Sequence, residues 1–517
     1  MSALPPIHLC VVQPAGYVHS LGFLDQARQF RFQFRRHGAR VTMAKNRLTH
    51  GAVNFVFGAH LGFDAAQTSR HACIFVNLEQ LGDGGAEVSA DYLRLLSSSA
   101  VVDYDAHNLR GYGRTTDDVP LVPFLYAPYL TPAEPFVLED RPIDLLFFGS
   151  MNPRRAAWID RIEALGVNVS VFDSALYGPE RDHHIAQAKA VLNVHFYESS
   201  RFEQARVSHC LSLGTPVISE RTERTDPHAA FEDSVLWINS DAELEQFFSQ
   251  DFNTPAYFEA MRGALDRFRS ADAVEAYADL LAFAVGFHRQ QHEGMSPKPW
   301  RPERINLGSG KAYQSGWLNL DVAEHTHPDL LLDLSVPLTL PLSALSATVG
   351  PVFLKEGSVL HIEANNVLEH VPQLTTLMGN CLRLLASGGE LRIEVPIEGS
   401  PTAWQDPTHV RAFNANSWIY YTDWFWYLGW FEHRFEMGDS TYLDMSVQPC
   451  PREQAAFMRV TLRKVETTDR ERTTARTFQP ELRLPEDEVL PQEMYAPAKT
   501  PTVDPTDFRP AVVGLFG

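Results

Sequence analysis

Two glycines and a carboxylate, Gly308, Gly310 and Asp321, stand close together in the segment INLGSGKAYQSGWLNLDV at residues 305–322. An apolar strand is expected to end at Leu307, and glycines directly after it let the backbone turn tightly and approach a ligand with no Cβ in the way. Asp321 closes the next apolar run, where a carboxylate accepts both hydroxyls of a ribose. It follows the first glycine by fewer than the roughly 20 residues of the dinucleotide fingerprint, which argues against NAD. Taken alone, the glycines also fit a surface turn. A second constellation is WQDPTHVR at residues 404–411, just beyond an apolar run that ends at Val395. There His409 is a candidate proton acceptor and Asp406 a carboxylate to orient it, although the same two residue types also cap turns.

The elements that must hold these groups follow in order. Residues 305–322 read as strand, turn, helix and second strand, the start of an S-adenosylmethionine-binding Rossmann unit. LLDL at 331–334 places Asp333 toward an adenine edge, and 359–371 reads as a strand running into a loop and short helix. Apolar residues at helical spacing over 374–385 lead to a Gly388-Gly389 stop, a strand at 390–395 and a terminating Pro396. Across about residues 304–465 this resembles the class I S-adenosylmethionine-dependent methyltransferases, in the branch with the pattern LNLGCG…GWxNxD…LEH…L(K/S)PGG…VP often encoded beside polysaccharide genes. The resemblance implies that Gly308, Gly310, Asp321 and Asp333 contact the cofactor, with Asn365 and Asn366 close to the transferred methyl group. Ser309 stands where many relatives carry Cys. Relatives also carry a DPTH(V/K)R segment after the same strand. Methyl transfer to a hydroxyl is an in-line displacement that needs proximity and a base, and His409 is the candidate for that base. His370, in LEH, ranks below it as a structural or cofactor-side residue.

The amino-terminal part alternates strands and helices as an open parallel sheet does, with strands at 7–12, 40–44, 53–57 and 73–78 and a helix at 25–37. A second series starts at 143–148 with a strand, the loop 149–155, a helix to Leu165 and a strand at 167–172. Two such halves predict a cleft between them that binds nucleotides or nucleotide sugars. The stretches DLLFFGS, LNVHFY and FEQARVSHCLSLGTPVISE resemble the donor-binding half of two-Rossmann-domain, GT-B-like glycosyltransferases of a bacterial and viral branch, well over about residues 143–220 and loosely before that. The resemblance implies an acidic residue on the helix before the Gly-Thr-Pro turn to hold the ribose, and basic residues to neutralise the diphosphate. His209 occupies the acidic position, so the ribose contact falls to Glu203 or another group, or the site has lost activity. Arg154 and Arg206, with Arg155 second, are the candidate cations. An Arg154-Arg155 helix start and a Glu203–Arg206 ion pair are the purely structural alternatives.

With 517 residues and 44% hydrophobic content the chain can bury two or three cores. A net charge of −20 disfavours a nucleic-acid partner. The five cysteines show no CxxC pairing, so zinc is not expected; no residue is assigned to a metal and metal dependence stays open, and reduced thiols fit a cytoplasmic protein. The first residues lack a secretory pattern, and no stretch reaches the roughly 20 apolar residues of a membrane span. Peripheral membrane association and oligomeric state stay open. The fold expectation is α/β: residues 1–135 and 136–287 as two Rossmann-like halves (acceptor side and nucleotide-sugar side), 288–303 as linker, 304–470 as the methyltransferase domain, and 471–517 as a Pro-rich acidic tail. Among the aromatics at 418–435, most are expected in the core and some against sugar rings. The functional expectation is a bifunctional enzyme of surface-polysaccharide synthesis, using a nucleotide-sugar donor and S-adenosylmethionine on a glycan or lipid-linked oligosaccharide acceptor. Two rivals are a methyltransferase of a small metabolite or lipid-linked intermediate with a degenerate sugar-binding module, and a non-catalytic scaffold.

Overall fold

The computed structural model describes residues 4–82, 84–172, 176–197, 201–292 and 298–478. The expected acidic tail lies almost wholly outside the described residues.

The first sheet comprises β1 (Ile7–Val11), β2 (Val41–Lys45), β3 (Val53–Phe57), β4 (Ala72–Val76) and β5 (Ala100–Val102), with β1, β3 and β4 short apolar runs buried on both faces and β2 an edge strand buried only at Val41. All pairings are parallel, in the order β2-β1-β3-β4-β5. Helix α1 (Phe23–Arg36) lays Ala27, Phe30 and Phe34 on the sheet, and α2 (Ala90–Ser98) starts at Ser89, whose hydroxyl accepts from the Tyr92 amide. The second sheet repeats the plan with β6 (Ile143–Phe148), α3 (Pro153–Ala164), β7 (Val169–Phe172), α4 (Gly178–Ala186), β8 (Ala188–Asn193), α5 (Gln204–Ser212), β9 (Val217–Glu220), α6 (Ala229–Glu232) and β10 (Leu236–Ile238). Its order, β10-β9-β8-β6-β7, is the same one counted within the sheet. Each sheet therefore reverses direction of growth beside its first strand, between β1 and β3 and between β6 and β8, and such reversals open a crevice at the carboxyl ends of the strands.

Helices α7 (Asp241–Gln246), α8 (Pro255–Arg269) and α9 (Val274–His292) follow. Helix α9 leaves the second half and packs on α1 of the first: the Tyr277 ring lies 5.2 Å from Phe30 and 5.8 Å from Phe34. Arg36 pairs with Asp272 at 2.6 Å beside it.

The third sheet comprises β11 (Arg304–Leu307), β12 (Leu318–Asp321), β13 (Leu330–Leu331), β16 (Val359–Asn365), β17 (Leu385–Pro396), β18 (His433–Leu443) and β19 (Phe457–Glu466). Its order is β13-β12-β11-β16-β17-β19-β18, with β19 antiparallel to both neighbours and the other pairings parallel. Helix α10 (Leu374–Leu384) covers one face, and the hairpin β14 (Leu342–Ser346) and β15 (Gly350–Leu354) is inserted ahead of β16. The fold is thus α/β with three largely parallel, Rossmann-like sheets.

Four details differ from the sequence reading. No helix joins β11 to β12; Asn306 and Asn319, paired in register on the two strands, bind the loop between them. Asn306 donates to Ala312 O and to Asn319 Oδ1, and Asn319 donates to Gln314 O and Trp317 O. These bonds hold the loop carbonyls that a helix would have paired internally. The fifth strand of this sheet starts at Leu385 and not at 390, because Gly388 and Gly389 form a bulge that shifts the register against β16. The hairpin β14–β15 had no counterpart in the expectation. Helix α11 (Asp469–Arg476) runs across the expected boundary at 470, started by a capping box between Thr468 and Glu471.

The unit built on the third sheet docks on the first half. His71 Nε2 lies 2.8 Å from Thr348 O, and Gln67 donates to Ser315 Oγ at 2.7 Å. Arg47 lies over the Tyr313 ring at 4.5 Å, Arg70 over Trp300 at 4.3 Å, and the His50 ring packs on Gly350. Among the described residues no helix is long and apolar enough to cross a membrane.

Candidate functional site

In the third sheet, strand register carries four sequence candidates to one edge. Leu307 pairs with Leu320 and with Ala364, and Asp321 pairs with Leu331, so Gly308, Asp321, Asp333 and Asn365 all lie at or just past the carboxyl ends of adjacent strands. Gly308 (φ 62°) and Gly310 (φ 46°) take left-handed conformations. A Cβ on Gly308 would overlap the Val367 side chain, so the glycine is also what lets the loop after β16 close over the turn. Asp321, 9% exposed, accepts the Gly310 amide at 2.7 Å on one oxygen and the Ala323 amide at 2.8 Å on the other. The carboxylate thus fastens the glycine turn to β12 and keeps further lone pairs for a ligand's hydroxyls. Asp333 is exposed and accepts the Ser335 amide at 2.7 Å. Asn365 ends β16 exposed, and Asn366 (φ 53°) donates its amide to Glu394 O at 2.8 Å.

The loops after β16 and β17 meet beside this edge. His409 is held there by its Nδ1, 2.8 Å from Ala403 O. A carbonyl only accepts, so Nδ1 carries the hydrogen and the lone pair of the neutral ring is on Nε2. Asp406 does not orient the imidazole as expected: its carboxylate accepts the Thr408 amide at 2.8 Å and the Thr408 hydroxyl at 2.6 Å. Thr408 Oγ1 in turn lies 2.9 Å from His370 Nδ1, so Asp406 reaches His370 through Thr408. The two imidazoles stand edge to face, centroids 4.7 Å apart. Sequence reasoning missed Glu369, which is 1% exposed with Oε1 4.0 Å from His409 Nε2. Neither of its oxygens has a hydrogen-bond partner among the described residues. Burial pushes its carboxyl up to about 7. The LEH motif flagged the segment, but only the folded loop shows that the glutamate points inward.

Of the aromatics at 418–435, Trp418, Tyr421 and Phe425 are buried, as core packing requires. Tyr420, Trp424 and Tyr427 form an exposed group with Tyr420 centroids 5.3 Å and 5.7 Å from the other two.

The two amino-terminal halves enclose a cleft of about 440 Å3 that meets the switch point of the second sheet at Phe148 and Gly149. Asp25 and Glu79 line it from the first half, and Gly149, Glu203, Arg206 and His209 from the second. Arg206 lies over the Phe148 ring at 5.2 Å and against Gly149, where a Cβ would come within 2.8 Å of its Nη2. Its Nη1 is 3.0 Å from Glu203 Oε2 but makes no aligned hydrogen bond, so the guanidinium keeps donors for another partner. Arg154 is committed elsewhere, forming a two-toothed pair with the buried Glu220 and donating to His195 O. Arg155, the second choice, is buried and donates to Val194 O, Ser150 O and Glu203, and burial lowers its pKa to about 10. His209 Nε2 sits 2.7 Å from Asp182 Oδ1 and 2.8 Å from Arg181 Nη2. Arg181 bridges on to Asp25 of the first half at 2.7 Å. The carboxylate absent from position 209 is therefore present beside it, brought by α4. No spacing in the sequence links residues 25, 182 and 209.

No family model matches the chain. It is similar to uncharacterised protein L138 of Acanthamoeba polyphaga mimivirus, 30% identical over 128 residues, which are 23% of this chain and 14% of that protein. It is also similar to protein L140 of the same virus, 31% identical over 84 residues, 16% of this chain and 28% of that one. The matches thus span 14% and 28% of the length of these relatives. Among solved structures, a SAM-dependent methyltransferase from Archaeoglobus fulgidus matches 31% of this chain and 85% of its own at 12% identity and TM-score 0.21. TarM matches 46% of this chain and 55% of its own at 10% identity and TM-score 0.34.

Proposed function

We propose that residues 304–470 transfer a methyl group from S-adenosylmethionine to a hydroxyl of a glycan, and that residues 1–287 transfer a sugar from a nucleotide-sugar donor to the same kind of acceptor, in surface-polysaccharide synthesis. The observation that carries the first part is the glycine turn at the carboxyl end of β11, tied by its amide to Asp321. In this reading Asp321 holds the ribose, Asp333 faces the adenine, Asn365 and Asn366 flank the methyl group, and His409 takes the acceptor's proton. The exposed rings Tyr420, Trp424 and Tyr427 suit a carbohydrate acceptor, whose C–H faces stack on aromatics. The cleft at the Phe148–Gly149 switch point supports the second part, with Arg206 on the diphosphate and Glu203 or His209 toward the nucleoside.

A thermal-shift and calorimetry panel on the full chain tests both parts, since a ligand that binds only the folded state raises its apparent stability, by about 2.7 kcal/mol at 100 times Kd. S-Adenosylmethionine and one nucleoside diphosphate are each expected to raise Tm, and independently. Absence of a S-adenosylmethionine shift would sink the methyltransferase reading. A response to S-adenosylmethionine alone would favour a second reading, a degenerate sugar module, which the engagement of Arg154 and Arg155 by carboxylates supports.

Arg206→Ala is expected to weaken nucleoside diphosphate binding about 10- to 100-fold while leaving the nucleoside unchanged, because a charged hydrogen bond contributes about 1.5–3 kcal/mol. Equal losses for both ligands in calorimetry would exclude a diphosphate role. Arg154→Ala is expected instead to lower stability, by about 3 kcal/mol, because it leaves the buried Glu220 carboxylate with no cation and with the His195 amide as its remaining donor.

A further inference from the structure

We propose that Glu369, His370 and His409 bind one divalent transition-metal ion. One ligand atom from each of the three lies within 4.8 Å of the other two. The set is two imidazoles and one carboxylate, which suits zinc, iron(II), cobalt or manganese and leaves coordination positions for an outside ligand. Magnesium and calcium, which take oxygen donors, fit it poorly.

Three features beyond proximity point to a cation. Glu369 is 1% exposed and neither carboxylate oxygen is hydrogen-bonded among the described residues, an arrangement that is costly unless a partner fills the space beside it. The His409 ring is held by Ala403 O on Nδ1, so its Nε2 lone pair is the one 4.0 Å from Glu369 Oε1. Ligands on a tetrahedral zinc are about 3.4 Å apart at ordinary bond lengths, so a small side-chain adjustment closes the set. Finally, the relay from His370 Nδ1 through Thr408 Oγ1 to Asp406 matches the outer support that metal-bound histidines receive, a hydrogen bond from the far nitrogen toward a carboxylate. Thr408 gives its one hydrogen to Asp406 and so accepts from His370, which leaves the Nε2 lone pair of the neutral ring available. The expectation from cysteine spacing that the chain holds no zinc did not bear on this set, which contains no cysteine and is assembled from two loops.

The proposal rests on these loops and not on the methyl-transfer reading. It changes one part of that reading, because a metal-bound His409 is a ligand and not a free base.

Full-length protein stripped with a chelator and dialysed against Zn2+, and separately Co2+, tests it. The expected result is about one metal per chain by elemental analysis, and visible absorption from bound Co2+. Glu369→Gln, which keeps shape, and His370→Ala are each expected to lower Zn2+ affinity at least about tenfold. Thr408→Val is expected to lower it by about 10- to 100-fold, as loss of an outer hydrogen bond does. Zn2+ should raise the Tm of the parent protein and not that of Glu369→Gln, a readout that stands even if His370→Ala fails to fold. Metal uptake identical in the parent and in Glu369→Gln, or no retained metal in the parent, overturns the proposal. Neither result touches S-adenosylmethionine binding, which is measured separately.

Discussion

In metal-free protein, where the Nε2 lone pair is open, His409→Ala is expected to slow methyl transfer by about 10²- to 10⁴-fold while S-adenosylmethionine binding stays within about twofold, the loss that follows removal of a positioned proton acceptor. The effect is large because the ring is fixed: Nδ1 is held by Ala403 O, one face meets His370, and the side chain is 6% exposed. A group so held loses little freedom when it meets an acceptor hydroxyl, whereas water entering the vacated space arrives with no orientation. The cofactor edge is built by other residues, so its affinity should persist. Single-turnover transfer from labelled S-adenosylmethionine to a glycan acceptor separates the two quantities. Unchanged transfer with normal cofactor binding would remove His409 from the chemistry.

Asp321→Ala is expected to weaken S-adenosylmethionine by about 100-fold or more in calorimetric titration. Two ribose hydroxyls would lose a charged acceptor, at about 1.5–3 kcal/mol each. The same change releases the amides of Gly310 and Ala323, whose acceptors are the two oxygens of this carboxylate. Asp321→Asn keeps one acceptor and is expected to fall between. If alanine leaves the affinity unchanged, Asp321 is a loop clamp and the ribose is held elsewhere.

That Asp321 meets the glycine turn is legible in the sequence, and the reason is local. Strand, glycine turn and second strand lie within 18 consecutive residues at 305–322, so the sequence itself brings Gly308, Gly310 and Asp321 together. Alternating apolar runs and breakers likewise revealed most strands of all three sheets. What was hidden depends on distant partners. Asn306 and Asn319 look like ordinary strand residues until their register shows them clamping a loop in place of the expected helix. Glu369 reads as a surface acid in LEH, and only the loop after β17 buries it. Arg154 looked like the better cation than Arg155, but helical geometry and Glu220, far along the chain, decide what each one meets. The hairpin β14–β15 was missed because its purpose is external: Ala347 and Thr348 at its turn accept from His50 and approach His71 of the first half.

That docking, together with the return of α9 onto α1, fixes which parts of the molecule travel together. The first sheet, α9 and the third sheet's unit form one block, joined through Tyr277 and through the contacts of Arg47, Gln67 and His71. The second sheet meets this block across the cleft through Arg181 with Asp25, Arg201 with Asp105 and Gln204 with Tyr104 O. The chain crosses between them twice, near Leu125–Tyr126 and near Ala271, where Tyr126 donates to Ala271 O. The second sheet and this block are thus joined by two chain crossings, by a shared apolar core and by polar contacts that also include His19 with Tyr177 and the Arg201 amide with Gln80. The strand edge that carries Gly308 and Asp321 lies wholly within that block, whereas the cleft is shared between the block and the second sheet.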